Sequence, residues 1–295
     1  FSCTAPDEFW VESGTDCDDS KSYIYPGAEE YCDGIDSNCD GVESTEIASF
    51  FYSDGTREDV TEDLWGRTYD VVESGTLRIC QGHWLSRVLV DADMDDEVVI
   101  EGVGDVVLDA QLEGSVIEVV GDLNVLSIHN LDLIRGSSIR GGGIYASTVD
   151  LLLEDVHLQG NEAEEFGGAV FVEEGDIDLR NSEITENTSK GMFFGGGGIY
   201  LGLGTLTALD SSLTDNHSEG LFSSGGAIHT IAGEIHLNDT RLKRNSSFWF
   251  GGAVYLGAGY LELEDAWFEG NEATTGGGSY VGGDVFMRQS LFLNN

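Results

Sequence analysis

The sequence predicts an all-β fold, a right-handed single-stranded parallel β-helix preceded by a small, disulfide-stapled, loop-rich segment. Three observations predict it. An eleven-residue motif returns along the chain, paired glycines precede most of its copies, and no window shows the apolar period of an amphipathic helix. One coil of such a solenoid cannot bury its own apolar side chains, so stacked coils bury them on one another.

The repeated motif carries apolar or small residues at its first, third, sixth and eighth positions. In the copy at 261–271 these are Leu261, Leu263, Ala266 and Phe268. The other copies are LSIHNLDLIRG (126–136), LLLEDVHLQGN (151–161), IDLRNSEITEN (177–187), LTALDSSLTDN (206–216), IHLNDTRLKRN (235–245) and VFMRQSLFLNN (285–295). Their last residues lie 24 to 29 positions apart, which predicts three short strands per coil.

A three-residue step from Leu263 to Ala266 interrupts the strand alternation and predicts a corner at Glu264 and Asp265. The asparagine that ends most copies suits a turn, because it tolerates the left-handed backbone conformation. In a stack, its amide can also hydrogen-bond to the asparagines above and below. The candidates for this ladder are Asn161, Asn187, Asn216, Asn245 and Asn271.

Paired glycines start the first strand of most units, where a sharp bend or a close approach of coils is expected. These segments are GGGIY (141–145), GGAVF (167–171), GGGIY (196–200), GGAIH (225–229), GGAVY (251–255) and GGGSY (276–280). If the fourth position faces the core, the rings at the fifth face outward as a ladder, either to bind sugars or only to stack across coils. The rings are Tyr145, Phe171, Tyr200, His229, Tyr255 and Tyr280.

Loops of variable length connect each terminal asparagine to the next glycine pair. Loops at equivalent places project from one edge of a solenoid, so aligned apolar loops predict a surface for a partner or for self-association. The alternative is that they fold back over a flank of the helix. The candidate partner-binding residues are Phe166, Phe193, Phe194, Phe222, Phe248, Trp249 and Phe250.

Residues 16–41 form an acidic segment, DCDDSKSYIYPGAEEYCDGIDSNCDG. Its closely spaced oxygen ligands favour Ca²⁺, and the lack of histidine in it argues against a conventional zinc or copper site. The alternative is an acidic loop, stapled by disulfides, that binds no ion. The candidate ligands are Asp16, Asp18, Asp19, Glu30, Asp33, Asp36, Asn38 and Asp40.

The five cysteines of the chain are Cys3, Cys17, Cys32, Cys39 and Cys80. Their clustering in the acidic part predicts disulfides formed in an oxidising compartment. Cys32 and Cys39 frame DGIDSN and are candidates to bridge; Cys17 would then pair with Cys3 or Cys80. Because the number is odd, one thiol is free or has its partner outside this sequence.

The net charge of −42, from 55 acidic and 13 basic residues, repels nucleic-acid phosphates and anionic lipids and attracts divalent cations. No apolar run approaches the roughly 20 residues that span a bilayer. We therefore expect an extracellular or outer-cell-surface protein that does not bind nucleic acid or insert into a membrane. Its expected partner is another copy of itself, a cell surface or a glycan.

The acidic segment resembles the MopE-type metal-binding motif, in which DCDD, PGAxExCDG and DxNCDG recur in this order. That resemblance implies a small secreted module that binds calcium or another metal, although Lys21 and Ser22 stand where a further Asp is common. Residues 126–295 resemble the GGA[IV] and FxxN repeats of chlamydial polymorphic outer-membrane proteins and related bacterial surface β-helices. This second resemblance implies a role at the cell surface.

The chain therefore divides into a metal-binding segment (1–43), a connecting or capping segment (44–68) and a parallel β-helix (69–295). The sequence ends with a coil at Asn295 and no capping element, so we expect a continuation or a docked second copy. The expected function is structural or adhesive and not enzymatic, since GxSxG, P-loop and HExxH motifs are absent. The alternative is a carbohydrate-active β-helix enzyme, a polysaccharide lyase or glycosidase, using paired carboxylates.

Overall fold

The computed structural model describes residues 17–18, 20–28, 35–41, 47–91 and 97–295. Strands make up 62% of the structure and wind into a β-solenoid of about eight turns. The predicted all-β parallel β-helix is therefore confirmed. Within the described ranges, no helix is long and apolar enough to cross a membrane.

A short cap precedes the solenoid and consists of β1 (Ala48–Tyr52), β2 (Arg57–Asp59) and α1 (Thr61–Trp65). Strand β1 runs antiparallel to β4 (Gly75–Trp84) of the first coil, with Ala48 opposite Ile79. Phe50 and Leu64 of the cap are buried and belong to the same hydrophobic core as the coils. The cap thus covers the strand edge at the N-terminal end, where unpaired backbone groups would otherwise be exposed.

The coils are built from strands that lie parallel to their equivalents in the next coil. In chain order, with β4 given above, they are β3 (Thr68–Val71), β5 (Arg87–Asp91), β6 (Glu97–Asp109), β7 (Ile117–Val120), β8 (Asp122–Ile134), β9 (Ser137–Arg140), β10 (Ile144–Gln159), β11 (Glu162–Phe166), β12 (Val170–Glu174), β13 (Ile177–Arg180), β14 (Glu183–Thr185), β15 (Thr188–Ser189), β16 (Phe193–Gly195), β17 (Ile199–Leu209), β18 (Ser212–Thr214), β19 (His217–Ser218), β20 (Phe222–Ser224), β21 (Ile228–Asn238), β22 (Arg241–Lys243), β23 (Ser246–Ser247), β24 (Val254–Glu264), β25 (Trp267–Glu269), β26 (Ser279–Val281), β27 (Asp284–Arg288) and β28 (Leu291–Leu293).

Stacked apolar columns form the core of the solenoid. Val170 lies opposite Ile199, which lies opposite Ile228 in the following coil, and all three are fully buried. The inward set predicted for the copy at 261–271 is at most 1% exposed. Fully burying one such aliphatic side chain contributes roughly 1.5–3 kcal/mol, so the columns are the main source of stability.

The predicted corner lies between β24 and β25, at Asp265, whose φ of 51° is in the left-handed region. The equivalent residues of other coils share this conformation, and most are Asp or Asn, which tolerate it best among residues with a side chain. These residues are Asn130, Asp155, Asn181, Asp210, Asp239 and Gln289.

The expectation that the terminal asparagine itself adopts the left-handed conformation is wrong. The left-handed residue is the one before it: Gly160, Glu186, Asp215, Arg244 and Gly270 precede the five ladder asparagines. This preceding residue makes the turn, so that the asparagine side chain points into the solenoid, where it is fully buried.

The two glycines of each pair have different roles. Gly251 has φ +62°, a conformation that side chains rarely adopt, whereas Gly252 does not. A Cβ added to Gly252 would lie 2.2 Å from the carbonyl oxygen of Gly277 in the next coil. The first glycine therefore permits the bend and the second permits the close approach of the coils.

Candidate functional site

The five candidate ladder asparagines form one buried column of hydrogen bonds. The Asn187 side chain donates from Nδ2 to Oδ1 of Asn216 at 3.0 Å, and Asn216 donates in the same way to Asn245 at 3.1 Å. Asn216 Nδ2 also donates to the carbonyl oxygen of Ile184 at 2.8 Å. Because these amides are saturated by one another and by backbone, the column stabilises the turns and offers nothing to a ligand.

The rings at the fifth position of the glycine segments also form a column. Phe171 and Tyr200 stack with centroids 5.1 Å apart, and Tyr200 and His229 with centroids 5.2 Å apart. These three rings lie outside the apolar core, on the side away from the buried fourth-position residues, yet they are at most 6% exposed. Aromatic loop residues cover them: Phe166 stacks on Tyr200, and Phe194 meets His229 edge to face. This covering leaves no open ring face for a sugar in the middle of the column.

His229 is the only basic side chain among these three buried rings. Its Nδ1 is 3.1 Å from Oγ of Ser224, while its Nε2 has no hydrogen-bond partner among the described residues. Burial lowers the pKa of His229 to about 4, so the ring is neutral near pH 7. A neutral histidine behaves here as another stacking ring.

The aromatic loop residues divide into two groups. Phe166 and Phe250 are half-buried against the ring column, and Phe194 also touches it although it is partly exposed. The exposed group, which we name the loop ridge, extends over three consecutive coils. It consists of Met192, Phe193, Leu221, Phe222, Phe248 and Trp249, each at least 36% exposed.

The loop ridge is ordered across its coils. Phe193 and Phe222 face each other in the register of β16 and β20, and their rings stack 5.5 Å apart. The Trp249 ring lies 5.4 Å from Phe222, and its backbone N–H donates to Ser223 O at 3.0 Å. Met192 and Leu221 were not among the predicted residues; the only sequence signal for them is their place directly before these phenylalanines.

An open groove of about 610 Å³ adjoins the ridge beside Phe248. Its lining includes Ser246, Thr274 and the carboxylates of Glu219 and Glu272, but no lysine or arginine. A salt bridge to Glu162 raises the pKa of the nearby Lys190, and Glu219 contributes to this shift. The ridge therefore borders a region of negative potential.

In the N-terminal segment, Cys17 and Cys39 form a disulfide with Cα atoms 5.6 Å apart. The expected bridge between Cys32 and Cys39 is therefore wrong. The loop at 35–41 folds back on the loop at 20–28, where Tyr25 N–H donates to Ser37 O at 2.9 Å, and this return brings Cys39 to Cys17. Cys80 is also disulfide-bonded, while Cys3 and Cys32 lie outside the described residues.

Four candidate metal ligands are described, and their oxygens organise the loops. Asp36 Oδ2 accepts from Gly41 N–H at 2.9 Å, and Asn38 Oδ1 accepts from Asp40 N–H at 2.9 Å. Hydrogen bonds from Ser20 lower the pKa of Asp18. The other four ligands lie outside the described residues: Asp16, Asp19, Glu30 and Asp33.

The donor chemistry of this segment fits a hard cation, because every candidate ligand offers oxygen. The described residues by themselves do not gather three His, Cys, Asp or Glu side chains around one point. The eight candidate ligands are thus divided equally between the described loops and positions outside them.

A cluster of ionisable groups that sequence reasoning missed lies on the early coils. Asp109, whose side chain is fully buried, accepts hydrogen bonds from Arg135 at 2.9 Å and pairs with His83 at 2.9 Å. Burial opposes its ionisation, but the bonds from Arg135 and His83 outweigh that cost and lower the pKa of Asp109. The three residues are 26 positions apart in sequence, and only the coil register reveals that they meet.

The pKa of Asp132, on β8, is shifted in the opposite direction to that of Asp109. Burial raises the pKa of its carboxyl, and repulsion from Asp105 and Glu183 adds to this against the attraction of His157. A carboxyl that holds its proton longer than usual beside other carboxylates is a feature of acid–base sites, although structural networks also produce it.

Comparison with known families identifies one segment of this molecule. Residues 16–44 match the family described as "Putative metal-binding motif" (Cu-binding MopE). Comparisons with curated proteins and with solved structures found no similar chain. The molecule is therefore a β-solenoid whose N-terminal segment is similar to this metal-binding family.

Proposed function

We propose that this chain is a secreted or cell-surface bacterial scaffold, structural or adhesive in role, that presents the loop ridge to a partner or to another copy of itself. The observation that carries the proposal is the ridge: six large apolar side chains aligned on three coils of a rigid rod. Monomeric proteins rarely leave so large an apolar patch exposed without a use. The disulfide and the metal-binding motif are consistent with a location outside the cytoplasm.

Electron microscopy and sedimentation of the native protein test this function. We expect filaments, dimers or binding to bacterial cell surfaces or glycans, and we expect chelator to weaken the assembly. A chain that stays monomeric with and without Ca²⁺, and binds no cell surface or glycan, would contradict the proposal.

We further propose that Ca²⁺ is the ion of the N-terminal segment, where it holds the acidic loops together. Asp36 is the best residue to test, since its carboxylate already orders the loop at 36–41. Calorimetry should detect Ca²⁺ binding by the wild type and at least a tenfold loss in Asp36→Ala. Asp54→Ala is the matched control, because Asp54 makes a similar turn at Thr56 outside the segment. Equal Ca²⁺ binding by both variants would exclude this site.

The second candidate function, a carbohydrate-active enzyme, is favoured by one observation, the raised pKa of Asp132 beside Asp105 and Glu183. Most glycosidases use a carboxylic acid together with a second carboxylate nearby to cleave the glycosidic bond. A screen on neutral and acidic polysaccharides would show cleavage that is abolished in Asp132→Asn. Absence of cleavage on all substrates would leave the scaffold as the better proposal.

A further inference from the structure

We propose that the loop ridge and its groove bind an extended segment of another protein that carries apolar side chains beside lysine or arginine. The inference rests on the proposed function and specifies the partner. The ridge supplies the apolar contact and the groove supplies the charge.

The apolar half of the surface has a defined length. Phe193, Phe222 and Trp249 succeed one another in three coils, which are spaced about 4.8 Å apart. The row therefore covers roughly 10 Å, which about three residues of extended chain also span. Met192, Leu221 and Phe248 directly precede these three residues in the chain and are also exposed. An extended segment with alternating apolar residues matches this shape.

The groove, which forms the charged half of the surface, carries the carboxylates of Glu219 and Glu272 and would favour a cationic partner. Two lysines of these coils are already paired, Lys190 with Glu162 and Lys243 with Glu269. Among the described residues, no salt bridge joins Glu219 or Glu272 of the groove to a lysine or arginine, and His217 is the one basic side chain in the lining. Ser246 and Thr274 also line the groove, where the Ser246 hydroxyl is hydrogen-bonded to His217 and the Thr274 hydroxyl donates to the carbonyl oxygen of Phe248. Lysine or arginine side chains of a partner would complete these interactions.

Three other occupants fit this surface less well. An anionic bilayer and a second copy of this chain both bring negative charge, since the chain has a net charge of −42. A glycan stacks on open ring faces. The parallel stacking of Phe193 on Phe222, 7° between planes, covers the faces that these rings turn to each other.

The test uses two fluorescent octapeptides of equal charge, one alternating Leu and Lys and the other alternating Ser and Lys. Fluorescence anisotropy with the full chain at 150 mM NaCl should show at least tenfold tighter binding of the Leu–Lys peptide. The ridge variant F193S/F222S/W249S should lose at least tenfold of that affinity. The groove variant E219Q/E272Q should lose at least threefold.

Two control variants carry the same kinds of substitution at positions outside the ridge and the groove. L203S/L209S/I231S replaces exposed apolar residues outside the ridge, and E173Q/E174Q replaces exposed carboxylates outside the groove. Both should bind the Leu–Lys peptide within twofold of wild type, and circular dichroism should show that all variants fold.

Equal binding of the two peptides, or unchanged binding by the ridge variant, would overturn the inference, because general attraction to an acidic protein would then explain the data. Ridge-dependent binding to lipid vesicles or ridge-dependent dimerisation, without peptide preference, would overturn it in favour of those occupants. If the wild type binds cells and the ridge variant does not, while no peptide preference exists, the inference fails and the proposed scaffold function stands.

Discussion

At the scale of single residues, the buried asparagine of each coil illustrates how a polar side chain can stabilise a hydrophobic stack. Oδ1 of Asn216 accepts from both the backbone N–H and the side chain of Asn187, and its own amide donates onward to Asn245. A residue without an amide would leave buried donors and an acceptor unpaired in two coils, which costs about 1–3 kcal/mol for each group.

The first prediction concerns this column. Asn216→Ala should lower the free energy of unfolding by about 3 kcal/mol, because it leaves Asn187 Nδ2 and Ile184 O without their partners. Chemical denaturation measures the change. Asn124→Ala, at an exposed position of β8, should change stability by less than about 0.5 kcal/mol. Similar losses of unfolding free energy in the two variants would show that the asparagine column contributes no more to stability than an exposed asparagine does.

The second prediction uses the buried His229. Its pKa is about 4 in the folded protein and about 6.5 in the unfolded chain, so unfolded molecules take up the proton first as the pH falls. The stability contribution is complete above pH 6.5 and is lost progressively down to pH 4. His229→Phe, which matches the ring of Phe171 in an equivalent coil, should remove this loss.

Thermal unfolding at pH 7.5 and pH 4.5 measures the effect. Between these two pH values the wild type should lose about 2 kcal/mol more than His229→Phe. His129→Gln, at a less buried place, is the control and should follow the wild type. Parallel pH profiles of wild type and His229→Phe would refute the assignment.

At the scale of elements, the coil was predictable because its signals are local and repeated. Leu261, Leu263, Ala266 and Phe268 predicted two strand faces and a corner, and all four are buried as expected. The glycine pairs predicted a bend and a close approach, and the structure assigns one task to each glycine. The burial of the fifth-position rings was not predictable, since it depends on whether loops from the same edge cover them.

The third prediction separates close approach from backbone strain. Gly252→Ala should destabilise the protein by about 3 kcal/mol or prevent folding, because its Cβ would overlap the backbone of the next coil. Gly270→Ala is the matched control: its φ is +63°, but its Cβ would meet only a side-chain atom at 3.8 Å. We expect it to cost about 1 kcal/mol, the usual penalty of left-handed backbone. Comparable losses in the two melting curves would contradict the role given to the second glycine.

At the scale of the whole molecule, the main feature is the large net negative charge of the solenoid. The chain has 55 acidic and 13 basic residues, and at the corner position Asp210, Asp239 and Asp265 follow one another in consecutive coils. Repulsion of this kind opposes folding and weakens as salt screens it.

The fourth prediction follows from this charge. Raising NaCl from 20 mM to 500 mM should raise the melting temperature by several degrees, because the Debye length falls to a few ångströms and screens the repulsion between coils. Calorimetry or circular dichroism checks it, with a sucrose series of matched osmolality as the control for solvent effects. A melting temperature that is constant or falls with salt would show that local ion pairs, such as Arg87 with Glu118, outweigh the repulsion.

The sequence by itself determined the solenoid, its coil length, the buried faces and the acidic segment, because each depends on residues a few positions apart that recur in every copy. Only the tertiary structure decided that Cys17 pairs with Cys39, that Phe194 contacts His229 while Phe193 stacks on Phe222, and that Asp109 meets Arg135 and His83. These pairings join residues a coil apart or on returning loops. Their distances are set by how the backbone stacks and folds back, and no local pattern in the chain specifies that.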